Sequence, residues 1–129
     1  MPKHIHNLFK VSLFCIGIAV TLFIGYLSLK RVDHIAAISF PHLDKIYHAV
    51  AYFSLSTIWL ICFYKSYHKQ KLKYRVVTAC ILYGMVIELL QGTLTTYRTA
   101  SVLDVCANTV GVLLAMMLFK RLYKIIVAI

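Results

Sequence analysis

The chain has 129 residues, which suits one domain, and 61% of them are hydrophobic, with a mean hydropathy of +0.80. This composition excludes an ordinary soluble domain and predicts a membrane protein. The formal charge of +10 at pH 7 would also suit a nucleic-acid-binding protein. In a membrane protein, however, basic residues orient the helices and contact anionic head groups. We therefore expect membrane lipids as partners and no nucleic acid.

Four apolar runs predict four transmembrane helices, at 11–29, 46–64, 76–94 and 101–119. Each run approaches the roughly 20 residues that a helix needs to cross about 30 Å of hydrocarbon. Lipid offers no hydrogen bonds to the backbone, so such segments must be helices or strands of a closed barrel, and these runs are too long for strands. The prediction is an all-α polytopic membrane protein, a four-transmembrane-helix bundle forming a single membrane domain over residues 1–129.

The first run could also be a cleaved signal peptide, because Lys3 and Lys10 precede it. Its long apolar core and the absence of a small-x-small cleavage site before Lys30 favour a retained anchor. Most of the 14 Lys and Arg residues lie in the two termini and the 65–75 loop. The positive-inside rule therefore predicts that both termini and this loop are cytoplasmic.

The four cysteines lie inside apolar runs and no two share a Cys-x-x-Cys spacing; they are Cys15, Cys62, Cys80 and Cys106. This pattern favours small packing residues over a disulfide framework or a zinc site.

Two of the four acidic residues, Glu88 and Asp104, lie inside apolar runs. An aspartate at the centre of a membrane helix costs roughly 2.5–3.5 kcal/mol on the insertion scale, so such residues indicate function by default. With the predicted orientation and 1.5 Å per residue, Glu88 lies about 9 Å below the outer end of its helix, and His48 lies about 6 Å below Asp44 at the rim. Both therefore fall in the outer leaflet.

Helical spacing places further polar residues on the same faces. Asp44, His48 and Tyr52 stack on the second helix, and Arg98 in the next outer turn can reach Glu88 or Asp104. The spacing predicts one polar cluster open to the outer face, made of Asp44, Lys45, His48, Tyr52, Glu88, Gln91, Arg98, Asp104 and Asn108. The alternative is that these residues only bond the helices to one another.

Three segments in order resemble the VanZ-like family of small bacterial membrane proteins: "DKIYHAVAYF" at 44–53, "YGMVIELLQ" at 83–91 and "YRTASVLDVCANTVGVLLA" at 97–115. The family pattern corresponds here to Asp44, Lys45, His48, Tyr52, Phe53, Gly84, Glu88, Gln91, Arg98, Asp104, Asn108 and Gly111. The resemblance covers roughly 44–119. It implies a multi-pass protein of the bacterial cytoplasmic (inner) membrane. The family takes its name from a member linked to low-level teicoplanin resistance, so a link to glycopeptide susceptibility is an expectation.

The first functional hypothesis is a site for a polar head group at the outer leaflet, on a lipid or a lipid-linked cell-wall precursor. Arg98 and Lys45 would contact phosphate, and Asn108 and Gln91 would hold hydroxyls or amides. Asp44 and Tyr52 would complete this ligand-binding set.

The second hypothesis is an enzyme that acts on such a lipid. His48 would be the general acid or base, because imidazole titrates near neutral pH, and Glu88 or Asp104 would orient it or balance its charge. The same three residues could ligate a metal, but three ligands from three helices are a weak sequence signal, so we predict no metal and no cofactor. A structural or assembly protein is a third alternative. A transporter is disfavoured by the short chain without inverted repeats.

Overall fold

The computed structural model describes residues 3–30, 42–64 and 70–128. Over these residues the fold is all-helical, as predicted, with four helices: α1 (Lys3–Leu29), α2 (Leu43–Cys62), α3 (Gln70–Leu94) and α4 (Val102–Ala128). Three of the basic residues used to predict the orientation lie outside the described residues, namely Arg31, Lys65 and Lys69.

Predicted and observed helix bounds agree where α1 and α3 end and differ most at the opposite end of the molecule. Helices α1 and α3 end at Leu29 and Leu94, where the apolar runs end. At the opposite end, α1 begins already at Lys3 and α4 continues to Ala128. Hydropathy marks only the apolar part of a helix, whereas Lys and Arg are good helix formers that prolong it.

Three of the helices in the described ranges are long and apolar enough to cross a membrane, over Lys3–Leu29, Lys71–Leu94 and Val102–Ile126. Helix α2 is not among them, because Asp44, Lys45 and His48 occupy its first two turns. The fourth span therefore remains a prediction.

Helix α2 packs against all three other helices, and most extensively against α4. Near the start of both helices Lys45 forms an ion pair with Asp104. Near their other ends the rings of Tyr64 and Tyr123 lie 4.2 Å apart. The starts of the two helices are thus in contact, and so are their ends, so α2 and α4 are parallel.

Helix α3 runs antiparallel to α4, to which a short turn connects it. Glu88 accepts a hydrogen bond from the backbone of Ser101, just before α4 begins. One turn earlier in α3, Gly84 lies against Asn108, further along α4. The last turns of α3 and the first turns of α4 therefore face each other.

Helix α1 is parallel to α3. Two side chains of α3 donate hydrogen bonds to backbone carbonyls of α1. Tyr83 donates to Thr21 over 2.6 Å, and Gln91 donates to Ser28 over 2.7 Å. Helix direction therefore alternates along the chain, and the beginning of α1 lies at the same end as the end of α4. We call the other end, where α1 and α3 end and α2 and α4 begin, the upper end.

Two glycines let the helices approach closely beneath the upper end. A Cβ atom at Gly111 would overlap the carbonyl oxygen of Ala49 and lie 3.0 Å from the backbone nitrogen of Phe53. A Cβ atom at Gly84 would lie 3.0 Å from the ring of Tyr52 and 3.1 Å from the amide nitrogen of Asn108. Gly111 thus lets α4 approach α2 closely.

Large apolar side chains point outward along the helices. Leu22 and Phe23 on α1 are 68% and 58% exposed, and Met117 on α4 is 72% exposed. Continuous apolar surface of this kind is rare on soluble monomers, and it suits helices surrounded by lipid.

Candidate functional site

A polar cluster lies at the upper end between α2, α3 and α4. We use this name for Asp44, Lys45, His48, Glu88, Asp104 and Asn108. Because α2 and α4 are parallel, Lys45 and His48, three residues apart on α2, meet Asp104 and Asn108, four residues apart on α4. The close approach at Gly111 brings these paired side chains into contact.

Lys45 connects two carboxylates at the edge of the cluster. Its ammonium donates to Asp44 over 2.7 Å and forms a second, shorter ion pair with Asp104. The hydrogen bond to Asp104, and then the one to Asp44, raise the pKa of Lys45 above its ordinary value. The bond to Lys45 lowers the pKa of Asp44. Lys45 is thus held as a cation, and its charge is already matched by protein groups.

His48 is oriented by Asn108. The ring nitrogen Nδ1 lies 3.1 Å from the side-chain oxygen of Asn108. A carboxamide oxygen only accepts, so Nδ1 carries the proton and donates. The other nitrogen, Nε2, then faces Oδ2 of Asp104 at 3.7 Å. In a neutral imidazole this nitrogen presents a lone pair toward the carboxylate.

Glu88 is the most deeply buried carboxylate of the cluster, with 2% of its surface exposed. Its Oε2 accepts the backbone N–H of Ser101 over 3.0 Å. Its Oε1 is buried and has no hydrogen-bond partner among the described residues. Such an unsatisfied oxygen costs free energy unless a ligand, an ion or water completes it.

The remaining predicted site residues surround the cluster without joining it. Gln91 is buried and donates to the backbone oxygen of Ser28 on α1. Tyr52 is buried beneath the cluster, 6.2 Å from the ring of Tyr83, and its hydroxyl has no partner among the described residues. Arg98 is exposed in the α3–α4 turn, and within the described ranges no ion pair joins it to Glu88 or Asp104.

The sequence interpretation did not identify the role of Ser101. Its backbone N–H binds Glu88, and its hydroxyl lies 3.4 Å from the backbone nitrogen of Asp104. A Ser-x-x-Asp signature at the start of an apolar run is typical of a capped helix N-terminus, and this signal was available at 101–104. The carbonyl of Ser28 could not have been predicted as a partner of Gln91, because a backbone acceptor carries no sequence signature.

The arrangement offers two kinds of chemistry. His48, Glu88 and Asp104 each present one ligand atom, and these atoms all lie within 4.8 Å of one another, close enough that a metal ion could bind between them. The same histidine beside a carboxylate could transfer a proton.

An apolar groove of about 300 Å³ lies lower in the molecule, between α1, α2 and α3. It is lined by Thr21, Leu55, Trp59, Phe63, Val76, Ala79, Cys80 and Tyr83. None of these residues belongs to the polar cluster, so the groove is not the candidate site.

A sequence model of the VanZ/LLP1 family matches residues 7–126. The match covers all three segments that carry the predicted resemblance and also most of α1. No curated protein and no solved structure matches the chain.

Proposed function

The chain belongs to the VanZ/LLP1 family, and from that premise we propose that it binds or handles the polar head group of a membrane lipid or a lipid-linked cell-envelope precursor. The observation that carries the proposal is the polar cluster itself. Two of its members, Glu88 and Asn108, are buried at 2% exposure each between otherwise apolar helices. Placing such groups in a membrane is costly, and a polar ligand would repay this cost.

The proposed ligand is phosphate-bearing. Arg98 is exposed at the upper end and is not engaged in an ion pair among the described residues, and a guanidinium binds phosphate with two parallel hydrogen bonds. Lys45, by contrast, is matched by Asp44 and Asp104. Arg98 is therefore the first phosphate contact, Lys45 and Asp44 form the rim, and Asn108 is the inner polar contact. Tyr52 and Gln91 support the site from below and from the α1 side.

The proposed location is the outer leaflet of the bacterial inner membrane, with four spans and both termini in the cytoplasm. The alternating helix directions, with the beginning of α1 and the end of α4 at one end, support an even number of crossings. Three crossings would place the termini on opposite sides. Impermeant maleimide labelling of intact cells tests this with single-cysteine variants His4→Cys, Thr96→Cys and Lys124→Cys in a cysteine-free background. We expect labelling at 96 only, and labelling at 4 or 124 without permeabilisation contradicts the topology.

Photo-crosslinking tests head-group binding. Benzoylphenylalanine replaces Val102, which is 79% exposed at the upper end, or Met117, which is 72% exposed lower on α4. Membranes are supplied with a radiolabelled lipid-linked cell-wall precursor or with a radiolabelled anionic phospholipid. We expect crosslinking of one of them at 102 that unlabelled ligand competes away and that Arg98→Ala lowers several-fold. Equal, non-competed labelling at 102 and 117 would show bulk lipid contact only and would reject the proposal.

A second candidate is an enzyme that acts on the same lipid, with His48 as general acid or base and with Glu88 and Asp104 as its charged neighbours. The 3.7 Å approach of His48 Nε2 to Asp104 favours it. Purified protein incubated with the radiolabelled precursor should then release a product that His48→Gln abolishes. A folded protein that binds the lipid and yields no product is a binding protein.

The proposal also includes an effect on glycopeptide susceptibility. Expression in a teicoplanin-sensitive bacterium should raise the inhibitory concentration of teicoplanin, and Arg98→Ala at equal abundance should remove the increase. Unchanged susceptibility with the wild-type chain would remove resistance from the proposal and leave lipid binding to be judged by crosslinking.

A further inference from the structure

The three ionisable groups at the centre of the polar cluster come from three different helices and converge on one point. His48 lies on α2, Glu88 on α3 and Asp104 on α4, and one ligand atom of each lies within 4.8 Å of the other two. A metal ion bound at about 2.0–2.2 Å holds its ligand atoms roughly 3–4.4 Å apart. Small side-chain rotations therefore suffice to close this set around an ion.

The hydrogen bonding of His48 matches that of a metal-ligating histidine. Such a residue donates one ring N–H to an oxygen and binds the ion through the other nitrogen. Here Nδ1 donates to Asn108, which leaves Nε2 directed at Asp104 at 3.7 Å. A lone pair and a carboxylate oxygen repel each other at this distance, and a metal cation bound between them, or a proton on Nε2, would remove the repulsion.

The buried carboxylate of Glu88 is an independent observation that favours a cation. The side chain is 2% exposed, and Oε1 has no hydrogen-bond partner among the described residues. Its other oxygen is fixed by the backbone of Ser101, so the carboxylate is held in place by the start of α4. A cation ligated by Oε1 would satisfy the buried oxygen.

Charge also favours a dication. The polar cluster contains three carboxylates, of Asp44, Glu88 and Asp104, and one ammonium, of Lys45. Lys45 takes Oδ1 of Asp104 and leaves Oδ2 on the side of His48. With a neutral imidazole, one divalent ion would neutralise the set, which matters in a site of low dielectric constant.

We infer that His48, Glu88 and Asp104 form a binding site for a divalent transition-metal ion, with Asn108 as the residue that positions His48. One imidazole nitrogen and two carboxylate oxygens without thiolate suit Zn²⁺ or Mn²⁺. Three protein ligands leave coordination positions open for a further ligand. The inference departs from the sequence prediction of no metal. It stands without the lipid proposal, because it rests on the three ligand side chains and on Asn108, and not on Arg98.

Metal binding is measured on the full chain, purified in detergent without an affinity tag and stripped with EDTA. Isothermal titration with Zn²⁺ and with Mn²⁺ should show one site in the wild type. His48→Gln and Glu88→Gln should each weaken binding at least tenfold. His42→Gln is the matched control, because His42 is exposed and immediately precedes α2. Circular dichroism and gel filtration establish that each variant is folded.

A second readout does not depend on variants. The X-ray absorption spectrum of the Zn²⁺-loaded wild type should show imidazole and oxygen scatterers and no sulfur. The inference is overturned if the wild type binds neither ion stoichiometrically, if the zinc lacks an imidazole ligand, or if His42→Gln weakens binding as much as His48→Gln. Since no lipid is added, failure here leaves head-group binding standing, and failure of crosslinking leaves the metal site standing.

Discussion

Replacement of Gly111 by alanine should separate α2 from α4 and destabilise the protein. The added methyl group would overlap the carbonyl oxygen of Ala49 and lie 3.0 Å from the carbonyl carbon of Ala49 and from the nitrogen of Phe53. These are backbone atoms of a helix, so they cannot rotate away as a side chain would. The helices must instead move apart, which lengthens the contacts of the polar cluster above.

The expected magnitude follows from two opposing effects. Overpacking of a well-packed contact costs about 1–3 kcal/mol. Alanine is favoured over glycine within a helix by about 1 kcal/mol. Because the overlap is with backbone, we place the overpacking near the upper end of its range, so Gly111→Ala should lower the free energy of unfolding by about 1–2 kcal/mol.

The control is Gly17→Ala, the same chemical change in α1. There the methyl group would lie 3.1 Å from ring atoms of Trp59, and a side chain can shift by a few tenths of an ångström. The helix preference for alanine then offsets most of the cost, and the change in stability should stay within about 0.5 kcal/mol.

The assay is thermal unfolding in detergent, followed with a thiol-reactive fluorophore that reports exposure of Cys80. Cys80 is 5% exposed, whereas Cys15 and Cys106 are exposed and are first replaced by serine, as is Cys62. We expect the midpoint of Gly111→Ala to fall by several degrees and that of Gly17→Ala to stay near the parent. Equal midpoints for the two variants would refute the close α2–α4 approach on which the geometry of the polar cluster depends.

Two further predictions concern the contacts around the polar cluster. Gln91→Leu removes the hydrogen bond to Ser28 and leaves a carbonyl of α1 without its partner. It should therefore lower the free energy of unfolding by about 1–3 kcal/mol and speed limited proteolysis within α1. Unchanged cleavage would contradict this contact. Lys45→Met should lower the free energy of unfolding by about 1–3 kcal/mol, because the side chains of its ion pair with Asp104 are only 24% and 13% exposed. Asp44→Asn should lower it by less than about 1 kcal/mol, because the Asp44 side chain is 60% exposed. Thermal unfolding of the two variants checks the order, and a larger loss for Asp44→Asn would contradict it.

The sequence predicted the all-helical fold and the faces of the helices well, because hydropathy and helical spacing report them directly. Asp104 and Asn108 lie one turn apart on α4, so the spacing predicted that they share a face, and in the structure this face lies beside α2. The apolar runs also predicted where α1 and α3 end. The opposite ends of α1, α3 and α4 were underestimated because basic residues that flank an apolar run are compatible with helix.

Partners across helices were harder to predict, since spacing fixes a face but not the neighbour that covers it. Helical spacing places Gln91 on the same face of α3 as Glu88, yet its amide donates a hydrogen bond to the backbone oxygen of Ser28 on α1. Arg98 was expected near the acids, but in the described ranges it pairs with neither Glu88 nor Asp104. Side-chain length allows several partners for each residue, and only the packing of all four helices selects one.

The most direct test of head-group binding is the lipid that accompanies the protein through gentle purification. Lipids extracted from the wild type, Arg98→Ala and Arg121→Ala are compared by mass spectrometry at equal protein. Arg121 is an exposed arginine on α4, about 28 Å along the helix from Val102, so it controls for the loss of one positive charge. We predict a phosphate-bearing lipid enriched in the wild type and in Arg121→Ala and several-fold depleted in Arg98→Ala. The same lipids in the same amounts in all three proteins would contradict a head-group site at the upper end.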